Sequence, residues 1–373
     1  MNQFRKMGLG ILVLAFMSLV FVTPGAAEDT IKLGVSGDHT GKLASYGIPT
    51  VRAAELVVEK FNAKGGVLGK KVELLVEDDQ CKPELATNAA TKLVGDGAHV
   101  VIGHICSGAT KAALGIYLDS KVIAMSSSAT ATDLTLSGNY PNFYRTIAYD
   151  DAQAQLQVEF ATKTLKAKKV AVLHDKGDYG KGQAELAKMY FEKAGVEVAL
   201  FEGITPGAVD YSAIVQKVKR SKVDLVTWGG YHPEASKILT LMRKKKMDTL
   251  FLGADGIKDM EFIKVAGEYS EGAYMTGPMD YSENPMHVTA VADHKAKYGE
   301  DPGAFFDSGY AAAVALLTAI EKAGSTDMDA ISKVLKSQPV DTTLGEIKFD
   351  ENGDATGIGF SVYQVQGGDF VQQ

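Results

Sequence analysis

The chain has 373 residues, of which 46% are hydrophobic and 23% charged, and its formal net charge is -7. This composition is typical of a globular protein and excludes a disordered one, and the length suits two domains of ordinary size. The acidic charge does not support a nucleic-acid partner, because proteins that bind nucleic acid present a basic surface.

The N-terminal 27 residues have the pattern of a secretory signal peptide. Arg5 and Lys6 precede the apolar run 8–22, and small residues stand before the expected cleavage after Ala27. A membrane anchor is the alternative, but the run is shorter than the roughly 20 residues that a spanning helix needs. The cleavage site has no cysteine, so a lipid anchor is not expected. Since the longest later apolar segment, 310–320, predicts a buried helix, we expect a secreted protein.

From residue 30 onward, strand and helix patterns alternate in two cycles. The first cycle predicts, in order, the segments 31–36, 47–63, 71–76, 84–94, 99–103, 109–118 and 122–125. The second cycle predicts 152–165, 169–174, 180–194, 196–201, 211–220, 224–228, 232–245, 250–252 and 272–276. The C-terminal part predicts helices near 287–298, 304–323 and 327–337, then a hairpin of 345–349 with 358–365. Repeated strand–helix units predict two Rossmann-like α/β lobes with parallel sheets.

Cys81 and Cys106 are the two cysteines of the chain. In an oxidising compartment an isolated pair is a candidate disulfide, and two reduced buried thiols are the alternative. A metal site is disfavoured, because no histidine or cysteine at ligand spacing surrounds them.

Two loops at predicted strand ends, 103–108 and 126–130, are rich in glycine and hydroxyl residues. Ligands bind beyond the carboxyl ends of parallel strands, where exposed backbone N–H groups favour a carboxylate or a phosphate. Ordinary helix capping by Ser and Thr is the alternative.

Signatures of catalysis are missing from the sequence. The Gly-x-Ser-x-Gly motif does not occur, and segment 65–71 fails as a phosphate-binding loop because Lys64 and Lys71 stand at positions that need Gly and Ser or Thr. Segment 177–182 has the wrong spacing for a dinucleotide loop. The seven histidines are scattered without a His-x-x-x-His pair. We therefore predict neither an enzyme nor a cofactor.

Seven short stretches resemble the leucine/isoleucine/valine-binding protein family of bacterial periplasms, in the family's order: 62–66, 78–81, 101–107, 129–131, 172–176, 179–180 and 229–234. The resemblance implies the type I periplasmic binding fold, with two lobes, three hinge crossings and a ligand cleft between the lobes. It places 28–148 and 279–358 in the N-terminal lobe, and 149–278 and 359–373 in the C-terminal lobe. It also implies a Cys81–Cys106 disulfide beside the ligand loop and a periplasmic location.

The resemblance further implies a role for each residue of an amino-acid site. Ser107 and Thr130 would bind the ligand's α-carboxylate, and the backbone carbonyl of Ser128 would receive its α-ammonium. Asp255 would pair with that ammonium on closure, and Tyr231 would complete the polar cage. The side-chain pocket would be lined by Tyr46, Ile105, Cys106, Tyr179 and Phe305. Such a set suits a zwitterion, which needs donors at one end and acceptors at the other; plain core packing is the alternative for the aromatic residues.

Three positions depart from the family pattern. Asp255 stands where the family usually has Glu, and Ser128 replaces a smaller apolar residue. Asp307 stands where the family often has an aromatic or apolar residue. If Asp307 faced the pocket, the ligand would carry a polar or basic side chain.

The sequence therefore predicts a monomeric solute-binding component that closes around an amino acid and delivers it to the permease subunits of an ABC importer. Branched aliphatic amino acids are the first expectation for the ligand. A small polar amino acid or an analogue is the second. A ligand-presenting module for a sensory receptor is the alternative for the partner, and a secreted α/β enzyme is the remaining alternative class.

Overall fold

The computed structural model describes residues 30–373, so the signal peptide predicted for residues 1–27 lies outside the described residues. Within residues 30–373, no helix is both long enough and apolar enough to cross a membrane. The described chain forms two large sheets flanked by helices and one small antiparallel sheet.

The first sheet has five parallel strands in the order β2-β1-β3-β4-β5. They are β1 (Ile31–Gly37), β2 (Val72–Asp78), β3 (Val100–Ile102), β4 (Ile123–Ser126) and β5 (Phe143–Arg145). The helices between them are α1 (Ala44–Ala63), α2 (Pro83–Gly95), α3 (Ser107–Asp119) and α4 (Asp133–Leu136). The central strands β3 and β4 are buried throughout, as expected for parallel strands covered on both faces.

The second sheet has seven strands in the order β15-β14-β10-β9-β8-β6-β7. Its parallel part is built from β6 (Lys169–His174), β7 (Glu197–Gly203), β8 (Leu225–Gly229), β9 (Leu250–Gly253) and β10 (Tyr274–Pro278). The connecting helices are α5 (Asp150–Lys163), α6 (Asp178–Lys193), α7 (Ser212–Ser221), α8 (His232–Lys244) and α9 (Met260–Ala266). Strands β14 (Phe360–Gln366) and β15 (Asp369–Gln372) extend this sheet as antiparallel strands beside β10.

After β10 the chain returns to the first sheet. There it forms α10 (Pro285–Tyr298), α11 (Phe306–Ala323) and α12 (Met328–Ser337), then the small sheet of β11 (Val340–Thr342), β12 (Gly345–Phe349) and β13 (Ala355–Thr356). Helix α11 is buried along most of its length and packs against α1, so it completes the core over the first sheet. The second sheet has hydrophobic cores of its own, centred on Trp228 and Phe191.

The chain crosses between the two large sheets three times: between β5 and α5, between β10 and α10, and between β13 and β14. Each crossing is a short segment, namely 146–149, 279–284 and 357–359. Parallel strands of both lobes therefore direct their carboxyl ends toward the space between the lobes, which is where such sheets bind ligands.

The predicted α/β architecture with two largely parallel sheets is confirmed, whereas the predicted hairpin of 345–349 with 358–365 is wrong. Strand β12 pairs with β11 and β13, and β14 pairs with β10 and β15 in the other lobe. The sequence pattern does not distinguish a hairpin from a crossing to the other lobe, because the same turn residues suit both. Several helices also begin earlier than predicted; α1, for example, begins at Ala44 rather than at residue 47.

Candidate functional site

A small, nearly closed cavity of about 10 Å³ lies between the two lobes. That is about the room of one water molecule, so a larger ligand enters only when the lobes move apart. Its wall is made by Tyr46, Ile105, Ser128, Tyr179, Tyr231, Asp255, Gly256 and Phe305. The structure thus brings together seven of the residues predicted from the sequence, and adds the backbone of Gly256.

Each lobe contributes four residues to the cavity wall. The first lobe provides Tyr46 from α1, Phe305 next to α11, and Ile105 and Ser128 from the loops after β3 and β4. The second lobe provides Tyr179 from α6, and Tyr231, Asp255 and Gly256 from the loops after β8 and β9. The loop residues lie at the carboxyl ends of parallel strands, as the topology requires.

Asp255 is the charged group of the cavity wall. It is 2% exposed, and the Tyr179 hydroxyl donates to its Oδ1 at 2.7 Å. Burial raises the pKa of Asp255 to about 6, even though the Tyr179 hydrogen bond favours the charged form. A carboxylate held in such a place is well suited to pair with a ligand cation, because pairing removes the penalty of burial.

A hydrogen-bond chain through Gly256 joins the two lobes. The Tyr46 hydroxyl of the first lobe donates to the Gly256 carbonyl of the second lobe at 2.8 Å, and the Gly256 N–H donates to the Tyr179 hydroxyl oxygen at 3.0 Å. A Cβ at position 256 would lie 2.6 Å from the Gly230 carbonyl oxygen, so only glycine fits this close approach. The structure is therefore closed around the cavity.

Aromatic rings from both lobes surround the apolar side of the cavity. The Tyr46 ring lies 5.4 Å from that of Phe305 and 6.3 Å from that of Tyr231, and Tyr231 lies 5.2 Å from Tyr179, all between ring centroids. These separations are within the range of favourable aromatic pairs. Burial raises the pKa of Tyr46, Tyr179 and Tyr231 well above the ordinary value of a tyrosine hydroxyl. All three hydroxyls therefore remain neutral donors at pH 7.

The other three predicted residues, Ser107, Cys106 and Thr130, lie behind the cavity wall. The Ser107 hydroxyl accepts from the Ala131 N–H at 3.2 Å, at the start of α3. Thr130 is fully buried, and its hydroxyl has no hydrogen-bond partner of normal geometry in residues 30–373. The hydroxyl lies beside the buried Asp150 carboxyl, and a polar ligand bound at the carboxyl end of β4 would give it a partner of normal geometry.

Cys106 forms a disulfide with Cys81, and the two Cα atoms are 5.4 Å apart. The alternative of two reduced thiols is therefore wrong. The bond joins the loop after β2 to Cys106, which is the N-terminal cap of α3 and precedes Ser107. A buried network continues from it, since Asp79 accepts from the Cys81 N–H at 2.7 Å and contacts the His104 ring. The disulfide thus anchors the start of α3.

Asp150 and Gln153 are two site residues that the sequence did not single out. Both are buried in the first turn of α5, and neither the Asp150 carboxylate nor the Gln153 amide makes a hydrogen bond of normal geometry in the described part of the chain. Burial raises the pKa of Asp150 to about 8, and the nearby Asp255 charge adds to the increase. An acidic residue in a first helical turn is commonplace, so the sequence carried no signal of this burial.

Asp307 does not line the cavity. It lines a neighbouring cavity of about 360 Å³ that shares Asp255 and Phe305 with the first, and it forms an ion pair with His287 at 2.8 Å. This pair raises the pKa of His287. The link between Asp307 and a polar or basic ligand side chain stays a prediction. Within residues 30–373, no group of His, Cys, Asp or Glu side chains is placed to hold a metal ion.

We expect Tyr46→Phe to weaken ligand binding about tenfold by favouring the open form. The substitution removes the cross-lobe donor and leaves the buried Gly256 carbonyl unpaired, at about 1–3 kcal/mol, and 1.4 kcal/mol corresponds to tenfold in affinity. Calorimetry and small-angle X-ray scattering of the ligand-free protein measure the two effects.

Tyr117→Phe is the matched control for this prediction. Tyr117 is also fully buried, but its hydroxyl hydrogen-bonds to His104 within the first lobe. This variant should unfold more easily without changing the scattering profile. Identical profiles and affinities for Tyr46→Phe and the wild type would refute the role of Tyr46 in closure.

Two α/β lobes joined by three crossings, with a cavity walled by both of them, define the class of bilobal ligand-binding proteins. The family profile of periplasmic binding proteins matches residues 30–369. The chain belongs to this periplasmic binding protein family.

Curated relatives and solved structures agree with this assignment. The leucine-, isoleucine-, valine-, threonine- and alanine-binding protein of Pseudomonas aeruginosa is 37% identical over 92% of both chains. The Leu/Ile/Val-binding protein of Escherichia coli is 36% identical over 94% of this chain and 95% of its own length.

The solved structure of the leucine-binding protein LivK from Thermotoga maritima covers 92% of this chain and 98% of its own, with a TM-score of 0.86 and 29% identity. LivJ from Streptococcus pneumoniae, solved with isoleucine, covers 92% of this chain and 100% of its own, with a TM-score of 0.82 and 27% identity. The predicted family and its type I fold are therefore confirmed. These relatives are binding proteins rather than enzymes.

Proposed function

We propose that this protein is the solute-binding component of an ABC importer and that it captures a branched-chain aliphatic amino acid by closing its two lobes. The observation that carries the proposal is the cavity between the lobes, where one buried carboxylate, Asp255, lies beside a wall of aromatic and aliphatic side chains. The relatives, which are named for the leucine, isoleucine and valine that they bind, support the same ligand class.

In this proposal the ligand's α-carboxylate binds at the start of α3 and at the loop after β4. Ser107 and Thr130 supply hydroxyl and backbone donors, and the positive end of the helix dipole of α3 adds to the attraction. The Thr130 hydroxyl makes no hydrogen bond of normal geometry in residues 30–373, and a ligand carboxylate bound here would accept one from it.

The α-ammonium binds between the Ser128 carbonyl and the Asp255 carboxylate. Since the carboxylate donors come from the first lobe and Asp255 comes from the second, a ligand with both charges bonds to both lobes and strengthens their closure. Ligand binding then shifts the equilibrium toward the closed form.

The aliphatic side chain lies among Ile105, Tyr46, Phe305 and Tyr231, with Cys106 behind Ile105 in the same apolar cluster. No free charge faces this side of the cavity, since Asp307 is paired elsewhere with His287. The pocket therefore favours leucine, isoleucine and valine over small polar amino acids. Asp255 is one methylene shorter than the family's usual Glu, so the ammonium lies deeper in the second lobe.

We further propose that 28–148 with 279–358 form the N-terminal lobe and 149–278 with 359–373 form the C-terminal lobe. The three crossings fall at or close to these boundaries. Secretion to the periplasm through the predicted leader and delivery to permease subunits by a monomer complete the proposal; the disulfide is in keeping with an oxidising compartment.

The test is a calorimetric screen of the leader-free protein, unfolded and refolded to remove carried-over ligand, against the common amino acids. We expect leucine, isoleucine and valine to bind and to raise the thermal midpoint. Asp307→Asn is the control, and it should leave the order of preference unchanged. Binding of only polar or basic amino acids would refute the ligand class, and no binding at all would refute the transport function.

A further inference from the structure

Arg145 is a fully buried arginine outside the cavity wall, at the end of β5. Its guanidinium donates from Nη1 to the carbonyl oxygens of Ala129 and Ala131, at 3.3 and 2.9 Å. Its Nη2 donates to the Thr135 hydroxyl, and its Nε donates to the carboxylate of Asp354. One planar side chain therefore binds two backbone carbonyls, a hydroxyl and a carboxylate.

The two carbonyls belong to the residues on either side of Thr130. The Thr130 carbonyl itself accepts from the Asp150 N–H at 2.9 Å. The Ala129 N–H donates to the Ser126 hydroxyl at 2.9 Å, which fixes the other side of this loop. Three successive carbonyls of the loop are thus held by residues at the first crossing, and this determines how Thr130 is presented.

The same guanidinium contacts the first crossing and the segment just before β13, which leads into the third crossing. The Tyr149 ring of the first crossing lies 5.3 Å from it. Asp354 precedes β13, which leads into the third crossing. The backbone N–H of Arg145 donates to the Gly353 carbonyl at 3.0 Å. Gly353 has a φ of +96°, and a Cβ there would lie 2.2 Å from the Phe143 carbonyl oxygen, so glycine permits this close approach.

We propose that Arg145 is a positioning residue that couples the ligand loop 128–131 to the hinge. This inference rests on the proposed function of that loop in binding an amino acid. Buried ion pairs add little stability over apolar replacements, so the contribution of Arg145 to binding is the geometry that its rigid fork imposes. Lysine cannot reproduce this arrangement, because its single ammonium has no planar fork.

The main test compares Arg145→Lys with the matched control Arg243→Lys. Arg243 also donates to two backbone carbonyls, those of Met247 and Thr249, but it lies in the second lobe, in the last turn of α8. We expect Arg145→Lys to raise the Kd for leucine at least about tenfold at a temperature where the protein remains folded. Arg243→Lys should change the Kd less than about twofold.

A double-mutant cycle separates positioning from general destabilisation. If Arg145 acts through the loop, Arg145→Lys should weaken binding far less when Thr130 is already replaced by Ala, because residues that act as one unit are not additive. Fully additive effects on Kd would overturn the inference. Unchanged Kd in Arg145→Lys would overturn it as well.

Hydrogen exchange of the ligand-free proteins gives a readout that does not depend on the ligand. We expect faster exchange in 128–131 and in the first crossing of Arg145→Lys, and no such change in Arg243→Lys. If Arg145→Lys does not fold, the same Kd and exchange measurements are made on Asp354→Asn and Thr135→Val, which each remove one side-chain partner of Arg145. A wild type that binds no amino acid refutes the proposed function, whereas unchanged exchange in the variants refutes the coupling.

Discussion

Asp255→Asn is expected to raise the Kd for leucine at least about 100-fold. Replacing one partner of a buried, hydrogen-bonded charge pair typically costs about 2–5 kcal/mol, and 1.4 kcal/mol corresponds to tenfold. Asn preserves the shape and the acceptor for the Tyr179 hydroxyl, so the loss reports the charge alone. Isothermal titration of both proteins with leucine measures the change.

The same substitution is expected to stabilise the ligand-free protein at pH 7. The pKa of Asp255 is about 6 in the folded protein and about 3.9 in an unfolded chain. A carboxyl with a raised folded pKa destabilises the fold increasingly as the pH rises from the lower value to the higher one. Removing it should therefore raise the free energy of unfolding at pH 7 by about 3 kcal/mol.

Asp175→Asn is the matched control for both effects. Burial also raises the pKa of Asp175 to about 6, and its Oδ1 accepts from the Gly177 N–H, but it lies outside the cavity wall. It should stabilise the ligand-free protein to a similar degree while leucine affinity stays within about threefold, as expected for a charge that contacts no ligand. Equal loss of affinity in both variants would contradict the role given to Asp255.

Leucine affinity should also depend on pH with a definite sign. Below pH 6 Asp255 becomes protonated in the ligand-free protein, so affinity should fall by up to about tenfold per pH unit as the pH decreases. In Asp255→Asn this component should vanish. An affinity that rises on acidification would show that the carboxylate does not bind the ammonium.

Removal of the disulfide, as Cys81→Ser with Cys106→Ser, is expected to lower the free energy of unfolding by about 3 kcal/mol. The bond closes a loop with a sequence separation of 25 residues, and chain-entropy estimates for loops of that size are about 3 kcal/mol. Leucine binding should weaken several-fold, because position 106 caps the helix that begins at Ser107 and would no longer be tied to position 81. Urea unfolding and calorimetry measure the two effects.

Reductant supplies the control for the disulfide. It should bring the urea midpoint of the wild type to that of the double variant and leave the variant itself unchanged. A double variant as stable as the oxidised wild type would contradict the prediction.

The sequence predicted the parts of the site that stand at strand ends and within family-like motifs. Tyr231 and Asp255 follow short apolar strands, so their place at the cleft follows from the α/β rhythm and the resemblance. The sequence did not point to Asp150 or Arg145, because each matters through its burial among segments that are far apart along the chain. Nothing in the local sequence indicates that Arg145 meets Asp354, 209 residues further along the chain.

Helix α11 shows the same limit for the fold. Its apolar run from 310 to 320 predicted a buried helix, and it is one. Its packing against α1, more than 240 residues earlier, depends on the return of the chain after the second crossing. Periodicity gives the element, whereas the partner is set by topology.

The three short crossings also constrain the way in which a bound molecule escapes. Three short attachments between the lobes favour a hinge rotation over sliding of one lobe past the other. We expect the cleft to open along the groove lined by Leu43, Cys81, Pro206 and Tyr231. The residence time of the ligand should then depend on how often the lobes separate along this groove. A neighbouring protein that covers the groove would slow the release of the ligand.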